Sequence, residues 1–173
     1  MIIKDNDVFP QVKEITIEKH DDFRGYNAEI FNEDMYCDIY EGGFHTDTIS
    51  RSRKGVLRGL HGDFRTWKLV QCLYGTIFFA VVNIDSSNQM SYLRHFTTTL
   101  SDTNGKQILI PPGFADGHQC MSDECIFSYK ISVSYDRNSQ DSYHYADPRI
   151  RIRWPIENPI ISNRDYVATR EVL

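Results

Sequence analysis

The sequence predicts an all-β domain, a sandwich or barrel, and three observations carry that reading. Short apolar runs recur along the chain with turn residues between them. The aromatic share is 13%, with ten Tyr and ten Phe, residue types that favour strands. Helix-type periodicity is weak before the last dozen residues, so the alternating βα pattern of a parallel sheet is missing.

Val12–Glu18 alternates apolar and polar residues as a half-buried strand should. Lys68–Leu73 and Ile77–Ile84 are apolar runs separated by Tyr74, Gly75 and Thr76, which predicts a hairpin. Leu93–Leu100 predicts another strand and ends at a turn over Asp102–Lys106 with Asn104-Gly105 at its tip. Gln107–Ile110, Cys125–Val133 and Arg149–Arg153 complete the strands. Ser162 or Asn163 is placed to cap a short helix running through Asp165–Glu171.

With 173 residues, a 40% hydrophobic fraction and no linker or repeat, residues 1–173 read as one domain. A net charge of −5 argues against a nucleic-acid partner, although a local basic pocket remains compatible with one diphosphate. No apolar run reaches the roughly 20 residues of a membrane span, and the N-terminus lacks a signal-peptide core, so the expected location is cytoplasmic. Cys37, Cys72, Cys120 and Cys125 form no CxxC pair and read as buried free thiols.

Chemistry concentrates in a few stretches. Ser50–Asp63 packs Arg51, Arg53, Lys54 and Arg58 around Val56-Leu57 and ends on Gly59-Leu60-His61. Strict strand alternation would put Arg58 and His61 on opposite faces, and a bulge at Gly59 would return them to one. In Ile108–His118, Pro111-Pro112-Gly113 stops a strand and presents Asp116 and His118 beside the turn. Tyr129 and Tyr135 lie six apart and share a face on a regular strand.

The order Asp22-x-Arg24-Gly25, Ser50-x-Ser52-x-Lys54-Gly55-Val56-Leu57-Arg58-Gly59-Leu60-His61, Lys68-Leu69-Val70, Ile110-Pro111-x-Gly113-Phe114-Ala115, Tyr129-Lys130, Asp147-Pro148, Trp154-Pro155 and Ser162-x-x-Asp165 resembles the dTDP-4-dehydrorhamnose 3,5-epimerase family. The likeness runs in register from about Asp22 to Asp165. It implies a cupin-type jelly-roll β-barrel with short helices near the C-terminus, a homodimer with an exchanged N-terminal strand, no cofactor and no metal. The implied reaction inverts C3, C5 or both of a nucleotide-linked 4-keto-6-deoxy sugar, within capsule or lipopolysaccharide biosynthesis.

The resemblance assigns roles. His61 matches the general base and Asp165 the carboxylate that orients it. Lys68 matches the lysine beside the keto oxygen, and Tyr129 the acid on the opposite face. A carbon beside a ketone loses its proton to give an enolate, so a neutral imidazole needs a fixed tautomer and a cation near the developing charge. Arg24 and Arg58 resemble diphosphate-binding arginines, Glu29 a glutamate of the nucleotide region, and Tyr135 a tyrosine near nucleotide and sugar. Arg24 and Glu29 are implied to serve the neighbouring subunit's site.

Departures from the family pattern bear on the substrate. Thr46 and Thr48 replace a Gln-x-Asn pair on the nucleotide side, and Leu60-His61-Gly62-Asp63 replaces LHYQ. Ala115-Asp116-Gly117-His118 replaces an Ala-His-Gly-Phe segment, and Phe79 stands where the family has an aspartate. RGLHGD and His118 are similar to a branch acting on GDP-4-keto-6-deoxy-heptoses, which favours a GDP-heptose over a dTDP-hexose, both of which stay open, and makes Asp63 and His118 candidate substrate contacts. Three rival readings remain: a metal-dependent cupin using His61, Asp63 and His118, a sugar 3,4-ketoisomerase, and a non-catalytic nucleotide-sugar-binding barrel.

Overall fold

The computed structural model describes residues 1–168. In chain order the strands are β1 (Ile2–Asp5), β2 (Lys13–Thr16), β3 (His20–Asp22), β4 (Gly25–Asn27), β5 (Thr46–Arg53), β6 (Leu57–Asp63) and β7 (Lys68–Tyr74). They continue as β8 (Thr76–Asn83), β9 (His95–Ser101), β10 (Lys106–Ile110), β11 (Phe114–Cys120), β12 (Glu124–Ile131) and β13 (Asp141–Ser142). Helix α1 is Glu33–Tyr36, a 3-10 turn spans Arg137–Ser139, and α2 is Asn163–Val167. None of the helices among the described residues is long and apolar enough to cross a membrane.

Two antiparallel sheets face each other in a cupin-type jelly roll, and neither closes on itself. One has the order β1-β2-β10-β7-β12-β5, the other β13-β6-β11-β8-β9, and β3 pairs only with β4. The expected hairpin over residues 68–84 does not form. Both edges of β7 are taken by β10 and β12, and both edges of β8 by β11 and β9. Tyr74-Gly75-Thr76 is instead a corner that carries the chain from one sheet to the other. Gly75, at φ +77°, has no room for a Cβ, which would lie 2.2 Å from the Glu124 carbonyl oxygen. Asp102 and Ser122 accept from the corner's amides at Gly75 and Thr76.

The long apolar runs of β7 and β8 follow from burial on both faces. Inward, Val70, Cys72, Phe79 and Val81 join Ile108, Phe114 and Phe127 in the core between the sheets. Outward, Leu69 packs under a segment carrying Phe31, Tyr36, Tyr40 and Phe44. Ala80 and Val82 pack outward under Tyr143, Ile150, Ile152 and Trp154. Buried Gln107 fixes the first cover, donating to the Ile30 carbonyl (2.7 Å) and accepting from the Tyr36 hydroxyl (2.5 Å).

Arg149–Arg153 is not a strand. Ile150 and Ile152 are buried as alternation requires, but Arg151 has φ +62° and the segment belongs to no sheet. β9 starts at His95, two residues late, because Leu93 adopts φ +61°, and β12 stops at Ile131, short of Val133. Ser162 caps α2 by accepting from the Asp165 amide (3.2 Å), while the far end of the expected helix, residues 169–171, lies outside the described residues. Helix α1, capped by Asn32, has no counterpart in the expectations. Of the four cysteines, Cys72, Cys120 and Cys125 are buried free thiols, but Cys37 is exposed.

Candidate active site

A cavity of about 510 Å³ opens between the two sheets at one end of the roll. Ser50, Phe127, Tyr129 and Lys68, on β5, β12 and β7, line one wall. Arg58, His61, Asp116 and His118, on β6 and β11, line the other. The C-terminal segment closes it with Ile160, Ser162, Arg164 and Asp165.

The bulge expected at Gly59 is present and decides the wall on β6. Asp116 pairs with His61 and His118 with Arg58, so three steps on β6 oppose two on β11. Gly59 sits at φ +117°, and a Cβ there would lie 2.6 Å from Gly117 Cα. The extra residue turns Leu60 outward into the covered face and leaves both Arg58 and His61 on the cavity.

Asp165 reaches His61 because the C-terminal segment is tied to the same sheet. Gln119 on β11 exchanges two hydrogen bonds with the Ile156 backbone, donating at 2.8 Å and accepting at 3.0 Å. Leu57 N–H donates to the Ile160 carbonyl, and Ile160 N–H to the Gly55 carbonyl, each at 2.9 Å. Asp165 Oδ1 then lies 2.7 Å from His61 Nε2, and Asp165 Oδ2 accepts from the Ser162 hydroxyl at 2.9 Å. Burial pushes the Asp165 carboxyl up, but the hydrogen bonds from His61 and Ser162 outweigh it and hold the group below its ordinary value. A carboxylate so placed fixes the imidazole tautomer and leaves Nδ1 as the nitrogen free to take a proton.

Lys68 bridges the two sheets. Its ammonium donates to Asp116 Oδ1 (2.5 Å) and to the His61 carbonyl (2.9 Å), leaving its third proton for another acceptor. Both side chains of the ion pair are nearly buried, at 7% and 11% exposure. The sequence places Asp116 beside the Pro111–Gly113 turn but assigns it no role. Its signal lay in two departures read separately: Phe79 removes an acid from β8, and Asp116 on β11 returns one.

Tyr129 faces His61 across the cavity. Burial raises its phenol pKa, partly offset by a hydrogen bond with Thr48 and by Arg58, so the group holds its proton at neutral pH. Tyr135 also lines the cavity, beyond the end of β12. Arg53 at the end of β5, Gln140 in the loop before β13 and Arg164 on α2 line it as well; the sequence assigns none of them a site role, since single polar residues carry no periodic signal.

Other expected residues fall elsewhere. Asp63 does not line the cavity: it is buried and accepts from the Arg65 and Thr66 amides and the Thr66 hydroxyl, which caps the turn before β7. Thr46 donates to the Val133 carbonyl, and neither Thr46 nor Thr48 lines the cavity. Arg24, at the exposed β3–β4 hairpin, is paired with Asp22 through Nη2 at 2.6 Å. Glu29 borders a separate recess with Glu18, His20 and Tyr36. Nor is the metal set of His61, Asp63 and His118 assembled, because Asp63 points into its own turn; among the described residues no three His, Cys, Asp or Glu groups are placed to hold a metal ion.

The model of the dTDP-4-dehydrorhamnose 3,5-epimerase family matches residues 7–170. The chain belongs to that family. A dTDP-4-dehydrorhamnose 3,5-epimerase of Shigella flexneri is 36% identical over 149 residues, covering 83% of this chain and 82% of its own. One from Methanothermobacter thermautotrophicus is 38% identical over 154 residues, covering 86% and 83%. The crystal structure of dTDP-6-deoxy-D-glucose-3,5-epimerase from Legionella pneumophila, in complex with dTDP-4-keto-L-rhamnose, superposes with a TM-score of 0.90 at 34% identity, covering 96% of this chain and 90% of that one. This member of the epimerase family is therefore an isomerase of the racemase and epimerase class.

Proposed function

We propose that the chain inverts C3, C5 or both of a dTDP-linked 4-keto-6-deoxy sugar through an enolate. One observation carries the mechanism: His61 and Tyr129 project from opposite sheets into one cavity, so a sugar ring between them has a base on one face and an acid on the other. His61 Nδ1 removes the proton beside the ketone while Asp165 stabilises the imidazolium. The free proton of the Lys68 ammonium meets the keto oxygen as it gains charge. The Tyr129 phenol then delivers a proton from the other side and is recharged by solvent.

Arg58, Arg53 and Arg164 supply the cationic edge for the diphosphate. The carrier dTDP is taken from the names of the relatives; the GDP-heptose expectation rests on sequence departures alone. The exposed β3–β4 hairpin, with Phe23 at 98% exposure, supports a homodimer in which Arg24 and Glu29 serve the partner's cavity.

Proton NMR in deuterated water, run on dTDP-4-keto-6-deoxy-glucose and on GDP-4-keto-6-deoxy-heptose, tests this. Deuterium entering C3 or C5 of the dTDP sugar with formation of a new diastereomer is the expected result. Exchange only in the GDP sugar would reverse the choice of carrier, and exchange in neither would refute the reaction.

A further inference from the structure

The three fully buried aspartates among the described residues each use both carboxylate oxygens. Asp63 and Asp147 are bonded at Oδ1 and Oδ2 by residues just beyond them in the chain, and Asp165 by His61 and Ser162. Asp116 is different. Its Oδ1 accepts from Lys68, while Oδ2 takes no hydrogen bond from any described residue. Nor is Oδ2 sealed in: the buried side-chain atoms without a partner are Ser50 Oγ and His118 Nε2, whereas Asp116 lines the cavity and keeps 11% of its side chain exposed. An ionised carboxylate only accepts, so this open oxygen is a ready place for a donor on a bound molecule.

The surroundings define that donor. Asp116 pairs with His61 across the β6–β11 ladder. Burial raises the Tyr129 phenol pKa most, and the charge of Asp116 adds to it. The carboxylate therefore sits among the base, the acid and the Lys68 ammonium. Two acceptors on one ammonium lie about 4.5 Å apart at ordinary hydrogen-bond lengths. A ketone oxygen on the free Lys68 proton is held that far from Asp116 Oδ1. A hydroxyl on the carbon next to the ketone lies a hydrogen-bond length from the ketone oxygen and closes the gap to the carboxylate. In a 4-keto-6-deoxy sugar only C3 offers one, because C5 carries C6 and the ring oxygen.

We propose that Asp116 Oδ2 accepts the C3 hydroxyl of the sugar while Lys68 holds the C4 ketone, so that the ion pair selects substrates with this hydroxyketone edge. The proposal rests on the 4-keto-sugar reading above and adds a specificity determinant to it. It also orients the ring, with C3 toward β11 and C5 away from it. The same negative charge repels a phosphate, which leaves the diphosphate to the arginines.

The test compares solvent-deuterium exchange for the parent 4-keto-6-deoxy sugar and its 3-deoxy and 2-deoxy analogues, on whichever nucleotide carrier the wild-type protein accepts. Exchange is read at the carbon that wild type exchanges in the parent. A hydroxyl on a carboxylate makes a charge-assisted bond, so wild type is expected to prefer the parent over the 3-deoxy sugar by roughly 10–100-fold in kcat/KM. In Asp116→Asn both sugars slow, because Lys68 has lost its counter-ion, but that common loss cancels in their ratio. The parent to 3-deoxy ratio should shrink roughly tenfold, and the parent to 2-deoxy ratio should not move. Should Asp116→Asn fail to fold, Asp116→His, the residue type that the resemblance places there, carries the same comparison.

Equal exchange of the parent and 3-deoxy sugars by wild type overturns the contact while leaving the epimerase reading intact. So does an unchanged ratio in a folded variant, or an equal shift in the 2-deoxy ratio. No exchange with any sugar on either carrier removes the reaction itself, and the contact with it.

Discussion

Asp165 Oδ1 lies 2.7 Å from His61 Nε2 across a sequence separation of 104 residues, and the contact depends on backbone ties that run through Ile156 and Ile160. The base is on a sheet strand, its orienting carboxylate on a two-turn-or-less helix, and neither holds the other without the segment between them.

Asp165→Asn preserves the shape of that contact but removes the charge that stabilises the imidazolium. It is expected to lower kcat by about 10²–10⁴-fold with little change in KM. Steady-state kinetics on folded variant protein, checked by circular dichroism, measures this; a loss confined to KM would contradict the assigned role.

The same residue predicts a pH dependence of stability. Its folded pKa lies below the ordinary 3.8, so the stabilisation is complete above pH 3.8 and is lost as pH falls through the folded value. The stability advantage of wild type over Asp165→Asn should therefore be largest above that point and narrow below it. Denaturant titrations at a series of pH values would show a constant difference if the carboxylate contributed nothing.

Lys68 and Asp116 make separable predictions for activity and stability. Lys68→Met leaves a carboxylate nearly buried and unpaired, which is expected to cost about 3–5 kcal/mol. Adding Asp116→Asn removes the stranded charge and should restore most of that stability. Activity should stay low in both, by about 10²–10³-fold, because the cation facing the enolate is gone. Recovery of activity in the double variant would show that Lys68 acts only as a structural tie.

Tyr129→Phe should divide the reaction. Abstraction by His61 persists, so deuterium still exchanges beside the ketone, but the inverted product no longer accumulates. Because burial raises the phenol pKa above 10, the wild-type acid should remain competent throughout the neutral and mildly alkaline range. Equal loss of exchange and inversion in the variant would place Tyr129 outside the proton-delivery step.

Gly59→Ala tests the bulge. A side chain at φ +117°, 2.6 Å from Gly117 Cα, is expected to cost about 1–3 kcal/mol from backbone strain alone and more from the clash. It should also move Arg58 or His61 off the cavity, so activity should fall further than thermal stability does. Wild-type kinetics in a folded Gly59→Ala protein would show that the register shift is not needed.

How much was legible in the chain depends on the range of the interaction. Amino-acid type and order were enough for the β-rich class, for the strand runs of β7, β8 and β12, for a glycine-dependent bulge beside Arg58, and for the motif order that places the chain in its family. Those features depend on neighbours in sequence: pleat, turn chemistry and missing Cβ atoms. The sequence alone did not show that β7 and β8 sit in opposite sheets, because a tight glycine corner and a hairpin turn look alike until both strand edges are taken by other partners. Nor did it show that Asp63 serves its own turn while Asp116 holds Lys68, since a buried acid satisfies whichever donors packing brings to it. Strand class, bulge and family are thus properties of the sequence, whereas the choice of carboxylate, the opposed His61 and Tyr129 walls and the Asp116 oxygen left open to the cavity are decided only when the two sheets close on each other.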